Sequence, residues 1–319
     1  MLNSTVNYIA PKAVKRNTTL QKIKRYRLYY LLMLPGLLYF LIYKYLPMMG
    51  IVIAFKDVMP FDGFLEILAA PFVGLKNFKL FISSNFFWNI MGNTLAISLY
   101  NLILGFPAPI IFALMLNEVR SKNAKKVLQS ISYLPHFLSI VIVSGMAIIL
   151  LSPNGGMVNE MMKLFGQEPI YFLGSKDHIR GVIVATKVWQ DIGWESIIYL
   201  AAISGISEEM YEAAIIDGAN TLQRIFYITL PGIMFTISIM FLLAVGRILD
   251  AGFERVLLLY NPGVYSKADI IDTYVYRMGI TDLRYSFSAA VGLFKSVFSL
   301  LLVMGTNTIT KKLGQEGLW

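Results

Sequence analysis

Lys187, Gln190, Asp191, Trp194 and Glu195 stand in an otherwise apolar stretch, at offsets of 0, 3, 4, 7 and 8 residues. That spacing puts all five on one face of an α-helix. An ammonium, an amide, two carboxylates and an indole are suited to hydrogen bonding, ion pairing and ring stacking rather than to covalent chemistry. Lys187 and Asp191 are spaced i, i+4 for an ion pair. An isolated charge at the centre of a bilayer costs about 2.5–3.5 kcal/mol, so such residues face a protein interior or a water-filled cavity. Two readings stand side by side. In one, the face lines a path for a polar solute, with Trp194 or Trp189 stacking on a ring. In the other, it is an interhelical polar network. Arg247 and Asp250, near the outer end of a later apolar stretch, and Lys295, inside the last one, are weaker candidates for the same lining. Lys295 leans towards an intramembrane ion pair.

Other chemistries are poorly supplied. The 319 residues contain no cysteine, which excludes disulfides and thiolate metal sites, and two histidines, His136 and His178. A histidine-based metal centre or triad is hard to assemble from these. Apolar residues make up 56% and charged residues 15% of the chain, against roughly 25% charged in soluble domains. Lipid can hide that much apolar surface; a soluble fold of this size cannot. The net charge of +9 does not point to nucleic acid, because the basic residues flank apolar runs instead of interleaving with aromatics.

A transmembrane helix needs about 20 mostly apolar residues. Six stretches qualify, at about 28–46, 93–116, 131–151, 179–203, 230–249 and 287–309. The expected fold is therefore an all-α integral membrane bundle of about six transmembrane helices. Lys12, Lys15, Arg16, Lys22, Lys24, Arg25 and Arg27 precede the first span. Arg120, Lys122, Lys125 and Lys126 follow the second, and Lys311 and Lys312 follow the sixth. Even parity puts these on one side, and the positive-inside rule makes it the cytoplasm. The long basic leader, followed by Tyr43-Lys44-Tyr45-Leu46-Pro47 rather than a small-residue cleavage site, predicts an uncleaved first span. The expected organisation is a basic cytoplasmic tail (1–27), a first transmembrane helix (28–50), an external amphipathic segment (51–91), a five-helix core (92–310) and a cytoplasmic tail (311–319). Phe78, Phe81, Phe86, Phe87 and Trp88 in the external segment suit a surface helix at the lipid boundary.

Between spans four and five runs Ser207-Glu208-Glu209-Met210-Tyr211-Glu212-Ala213-Ala214-Ile215-Ile216-Asp217-Gly218-Ala219-Asn220, continuing to Ile228-Thr229-Leu230-Pro231. Physically this is helix, break, helix. Ser207 is an N-cap, the two glutamates suit the positive end of a helix dipole, and Gly218 can end the helix in the left-handed conformation. Ala213, Ala214 and Ala219 are small enough to let another surface approach.

The order Glu-Ala-Ala, two residues, Asp-Gly-Ala, then Ile228 and Leu230-Pro231 resembles the EAA loop of bacterial ABC importer permeases. Tyr133-Leu134-Pro135-His136-Phe137, Leu259-Tyr260-Asn261-Pro262, Ile271-Asp272-Thr273-Tyr274-Val275-Tyr276-Arg277 and Gly292-Leu293-Phe294-Lys295-Ser296-Val297 look like the polysaccharide and oligosaccharide branch. Phe235 stands where many such loops carry a second proline. The resemblance implies a MetI-like five-helix core with one leading helix. It also implies a coupling loop at 206–228, in which Glu212, Ala213, Ala214, Asp217, Gly218 and Ala219 dock on an ATPase. The function implied is import of oligosaccharides across the bacterial inner (cell) membrane. The implied partners are a second homologous permease, two ATPase subunits and an extracellular solute-binding protein. No cofactor is expected on this chain. ATP and Mg belong to the partner ATPase, because no Gly-x-x-x-x-Gly-Lys-[Ser/Thr] loop is present. An ion-coupled secondary transporter is the alternative, disfavoured by the absence of paired broken-helix repeats.

Overall fold

The computed structural model describes residues 24–312. Lys12, Lys15, Arg16 and Lys22 of the basic tail, and the chain past Lys312, lie outside the described residues. Contacts divide the chain into two compact units, Met1–Ile51 and Val52–Trp319. In the first, α1 (Arg27–Phe40) runs on through a π-helical turn (Leu41–Tyr45) to Met48.

The second unit begins with a segment holding α2 (Phe64–Ala69) and α3 (Lys76–Ile82). Next, α4 (Phe87–Tyr100) and α5 (Pro107–Asn117) join through a π-helical turn (Asn101–Gly105) into one helix of 31 residues. Then come α6 (Lys122–Tyr133), α7 (Ile140–Leu150), α8 (Met157–Leu164) and the 25-residue α9 (Ile179–Ile203). The loop helix α10 (Glu208–Ile216) leads to α11 (Thr221–Gly232) and α12 (Met234–Gly246). Three short helices follow: α13 (Phe253–Leu259), α14 (Tyr265–Ala268) and α15 (Ile271–Tyr276). The last helix is α16 (Tyr285–Lys312). Among the described residues the only β pairing is an isolated bridge between Lys56 and Phe72.

Among the described residues three helices are long and apolar enough to cross a membrane, or five if each of two bent pairs is one span. The helix α9 adds a sixth of sufficient length, its apolar character diluted by Arg180, Lys187, Asp191 and Glu195.

Three expectations need correction. The third span is not one straight helix. After α6 the chain makes a 3-10 turn (Leu134–Phe137), and α7 then leaves at 102°. Pro135 has no N–H to extend the ladder. Leu138 and Ser139 are extended, and the Ser139 hydroxyl caps α7 by accepting from Ile142 N at 3.3 Å. The fifth span likewise starts late, at Met234, after a 64° bend at Ile233. Finally, the aromatic cluster is not all at a lipid boundary. Phe81 is fully buried and Phe87 nearly so, edge-on to each other at 5.1 Å and packed with Ile90, Ile271, Tyr274 and Phe287; Phe86 and Trp88 are exposed.

The segment between α12 and α16 is tied to α4 and α9 by polar contacts, most of them far apart in sequence. Asn93 donates to the carbonyls of Tyr265 (3.2 Å) and Asp269 (3.0 Å), and accepts from Arg180 Nη2 (2.6 Å). Thr94 Oγ1 accepts from Ile271 N at 3.0 Å. Arg277 donates to both oxygens of Asp269 at 3.2 and 2.6 Å. Burial opposes its charge, yet that carboxylate holds the guanidinium above its ordinary range.

Candidate functional site

The polar face of α9 is where the bent pair α6–α7 sits. Gln190 is buried, and both ends of its amide are engaged. Nε2 donates to Leu138 O at 2.9 Å, and Oε1 accepts from Arg255 Nη2 at 2.7 Å. Leu138 is an extended residue at the bend, so its carbonyl has no helical partner. At membrane depth such a group must be satisfied by protein. Asp191 Oδ1 lies 3.0 Å from His136 Nδ1. The expected Lys187–Asp191 pair does not form; the histidine, 55 residues away in sequence, takes the carboxylate. The His136 ring stacks on Trp194 at 4.7 Å and 3°, with Phe137 edge-on at 5.4 Å. His136, Phe137, Asp191 and Trp194 thus form one cluster across the bend, with Leu138 next to it.

Gly193 allows this approach. A Cβ there would lie 2.1 Å from Ser132 O and 2.4 Å from Ser132 C. Backbone cannot yield as a side-chain tip can, so Gly193→Ala must push α6 off α9. We expect a loss of about 1–3 kcal/mol, the range for overpacking. It should be visible as a lowered unfolding temperature of the purified chain in detergent, whereas Gly181→Ala, with open space at its Cβ, leaves that temperature unchanged.

The adjoining edge of the same polar face borders a cavity of about 450 Å³ between α4–α5, α9 and α12. Lys187, Asp191 and Glu195 enter it from α9, and Arg247 and Asp250 from the end of α12. Among the described residues Lys187 and Arg247 are in no ion pair. The structure therefore brings together five of the charged residues expected on the path, with Asp191 shared between cavity and bend. Gln190 and Trp194 are committed to the bend. Lys295 is elsewhere, its Nζ 2.7 Å from both carboxylate oxygens of Asp272 on α15.

Sequence reasoning missed Ser98 and Asn101. Both line the cavity, and their side-chain oxygens are buried with no hydrogen-bond partner. Buried polar atoms normally have one, so these two are positioned to bond something that enters. Their one signal was polarity inside a span without charges. Arg255 was also missed. It is 5% exposed, and its Nη1 has no partner.

The loop between α9 and α12 ends α10 in a Schellman motif: Ala219 N donates to Ala214 O at 2.8 Å, and Gly218 N to Ile215 O at 3.0 Å. Gly218 has φ of 80°. Ser207 occupies the N-cap position without a side-chain cap bond. Asn220 and Gln223 form a reciprocal capping box for α11. Tyr211 OH and Thr229 Oγ1, 2.9 Å apart, tie the two arms together. Glu212, Ala213, Asp217 and Gly218 are exposed, and Ala214 and Ala219 half-buried. Ile216 is 85% exposed, an apolar side chain left facing outwards beside the loop's small residues.

Residues 105–314 match the model of a family described as the binding-protein-dependent transport system inner membrane component. Protein LplB of Bacillus subtilis is 46% identical over 93% of this chain and 92% of its own length. The polygalacturonan/rhamnogalacturonan transport system permease protein YteP of the same organism is 44% identical over 98% and 97%. Among solved structures, a chain of a bacterial alginate ABC transporter, in complex with an alginate pentasaccharide-bound periplasmic protein, superposes with a TM-score of 0.86 and 40% identity. That match covers 95% of this chain and all of the other.

Proposed function

The chain belongs to the family of binding-protein-dependent transport system inner membrane components, and from that membership we propose that it is the permease subunit of an ATP-driven ABC importer of oligosaccharides. It is a membrane component, not an enzyme. The observation that carries the substrate class is the cavity: about 450 Å³ among membrane-spanning helices, walled by Lys187, Asp191, Glu195 and Arg247 with the unpartnered oxygens of Ser98 and Asn101. A hydroxyl-rich solute offers both donors and acceptors to such a wall.

In this reading a solute-binding protein delivers the oligosaccharide from outside, and a second homologous permease completes the path. Two ATPase subunits bind ATP and Mg. Glu212–Ala219 dock on one of them, so that closure of the ATPases moves the loop and opens the cavity alternately to each side. Both termini lie in the cytoplasm, as the Lys and Arg distribution requires. Residues 92–310 form the transport core.

The test is reconstitution of the co-purified complex in vesicles, with uptake of a labelled oligosaccharide measured with internal ATP or with an ion gradient alone. Uptake that needs ATP and the binding protein supports the reading; uptake on the ion gradient alone overturns it. Replacing Lys187 and Arg247 together by Gln should cut uptake at least tenfold with assembly intact. Gln190→Ala should instead lower the amount of assembled complex, because it leaves Leu138 O and Arg255 unsatisfied. Normal assembly with lost uptake in Gln190→Ala would return that residue to the path.

A further inference from the structure

A second cavity, of about 420 Å³, opens where α9 begins. Lys176, Arg180 and Lys267 line it, against one carboxylate, that of Asp177. Among the described residues none of the four is in an ion pair. Arg180 is held in place, with Nη2 on Asn93 Oδ1 at 2.6 Å and Nε on Lys267 O at 2.8 Å. The two lysine ammonium groups are exposed and uncommitted. The rest of the wall is apolar. Tyr100 and Leu104, 43% and 57% exposed, come from within the long α4–α5 span.

The orientation proposed above puts this cavity at the external boundary of the membrane. That side is ordinarily poor in Lys and Arg, yet three cations converge here, and their mutual repulsion is relieved by an anion. A phosphodiester has a charge and an acyl chain on the same molecule. It matches cations above a Tyr and a Leu at one membrane depth, and basic pockets between spans hold anionic headgroups in this way. A soluble anion would use the cations but leave the Tyr100–Leu104 wall against water. We propose that this cavity binds the headgroup of an anionic phospholipid of the outer leaflet. The placement rests on the proposed orientation, but lipid retention can be measured without transport, so the two can fail separately.

The experiment uses the assembled complex in nanodiscs of phosphatidylglycerol mixed with phosphatidylcholine, followed by native mass spectrometry after partial delipidation. Wild-type complex should retain phosphatidylglycerol over phosphatidylcholine. The Lys176→Gln/Lys267→Gln variant should lose at least tenfold of that preference, whereas Lys79→Gln, an external lysine away from the cavity, should not. Neither variant removes a side-chain bond, and the Lys267 carbonyl still holds Arg180, so unfolding temperatures should match. Equal retention of the two lipids by wild type, or an unchanged preference in the double variant, overturns the proposal. Displacement of the lipid by a soluble uronate oligomer also overturns it, by making the ligand a solute.

Discussion

Gly218→Asp should reduce ATP-dependent uptake at least tenfold while the chain reaches the membrane in normal amount. The backbone at Gly218 has φ of 80° and closes the Schellman motif that ends α10. A side chain in that region costs about 1–2 kcal/mol, less for Asp and Asn, which visit it most readily. No atom lies within 4 Å of where its Cβ would be. The substitution therefore meets no clash inside this chain, and the loop keeps its shape at modest cost. What changes is the exposed tip, which gains a second carboxylate beside Asp217. Gly218→Asn separates the two effects: it has nearly the same backbone cost and no charge, and should keep most of the uptake. Lost uptake in both variants would assign the effect to strain. Normal uptake in Gly218→Asp would remove the tip from the docking surface.

Asp272→Asn should deplete the chain from the membrane. Lys295, on the last span, has both carboxylate oxygens of Asp272 at 2.7 Å, and each side chain is about a fifth exposed (19% and 22%). Removing one partner of a buried pair costs roughly 3–5 kcal/mol, because the other charge remains without compensation. The partial exposure puts this pair at the lower end. Lys295→Met alone should do similar damage. The double variant Asp272→Asn/Lys295→Met should recover most of the stability, since no unpaired charge is left. The measurements are membrane-inserted amount and unfolding temperature in detergent. If Asp272→Asn is stable but inactive, Lys295 belongs to the transport path after all.

The helix α9 was legible at both ends, Ile179 and Ile203, because a polar face of helical period is a pattern local to one segment. The left-handed Gly218 was legible for the same reason. What failed was partner assignment. The i, i+4 rule pairs Lys187 with Asp191, but His136 arrives across the bend and wins the carboxylate. The bend itself hid inside a run at 131–151 that reads as one span, since hydropathy does not register a change of direction. Pro135 and Ser139 carried the information, as a lost donor and a cap. The two readings of Gln190, path or interhelical network, stayed open in the sequence because Arg255 and Leu138 O, its two partners, come from other segments. Phe81 and Phe87 looked interfacial because aromatic content alone does not say whether lipid or Tyr274 and Phe287 cover them.

The contacts of Asn93 and Thr94 also set a clock on biosynthesis. Their partners Asp269 and Ile271 follow them by 176 and 177 residues. At about 5–20 residues per second, the ribosome needs roughly 10–35 s to deliver those partners after the second span has emerged. Through that interval two polar side chains of a newly inserted helix wait for a strip of chain not yet made. A product truncated before Asp269 never receives it, and its second span keeps both side chains without these partners.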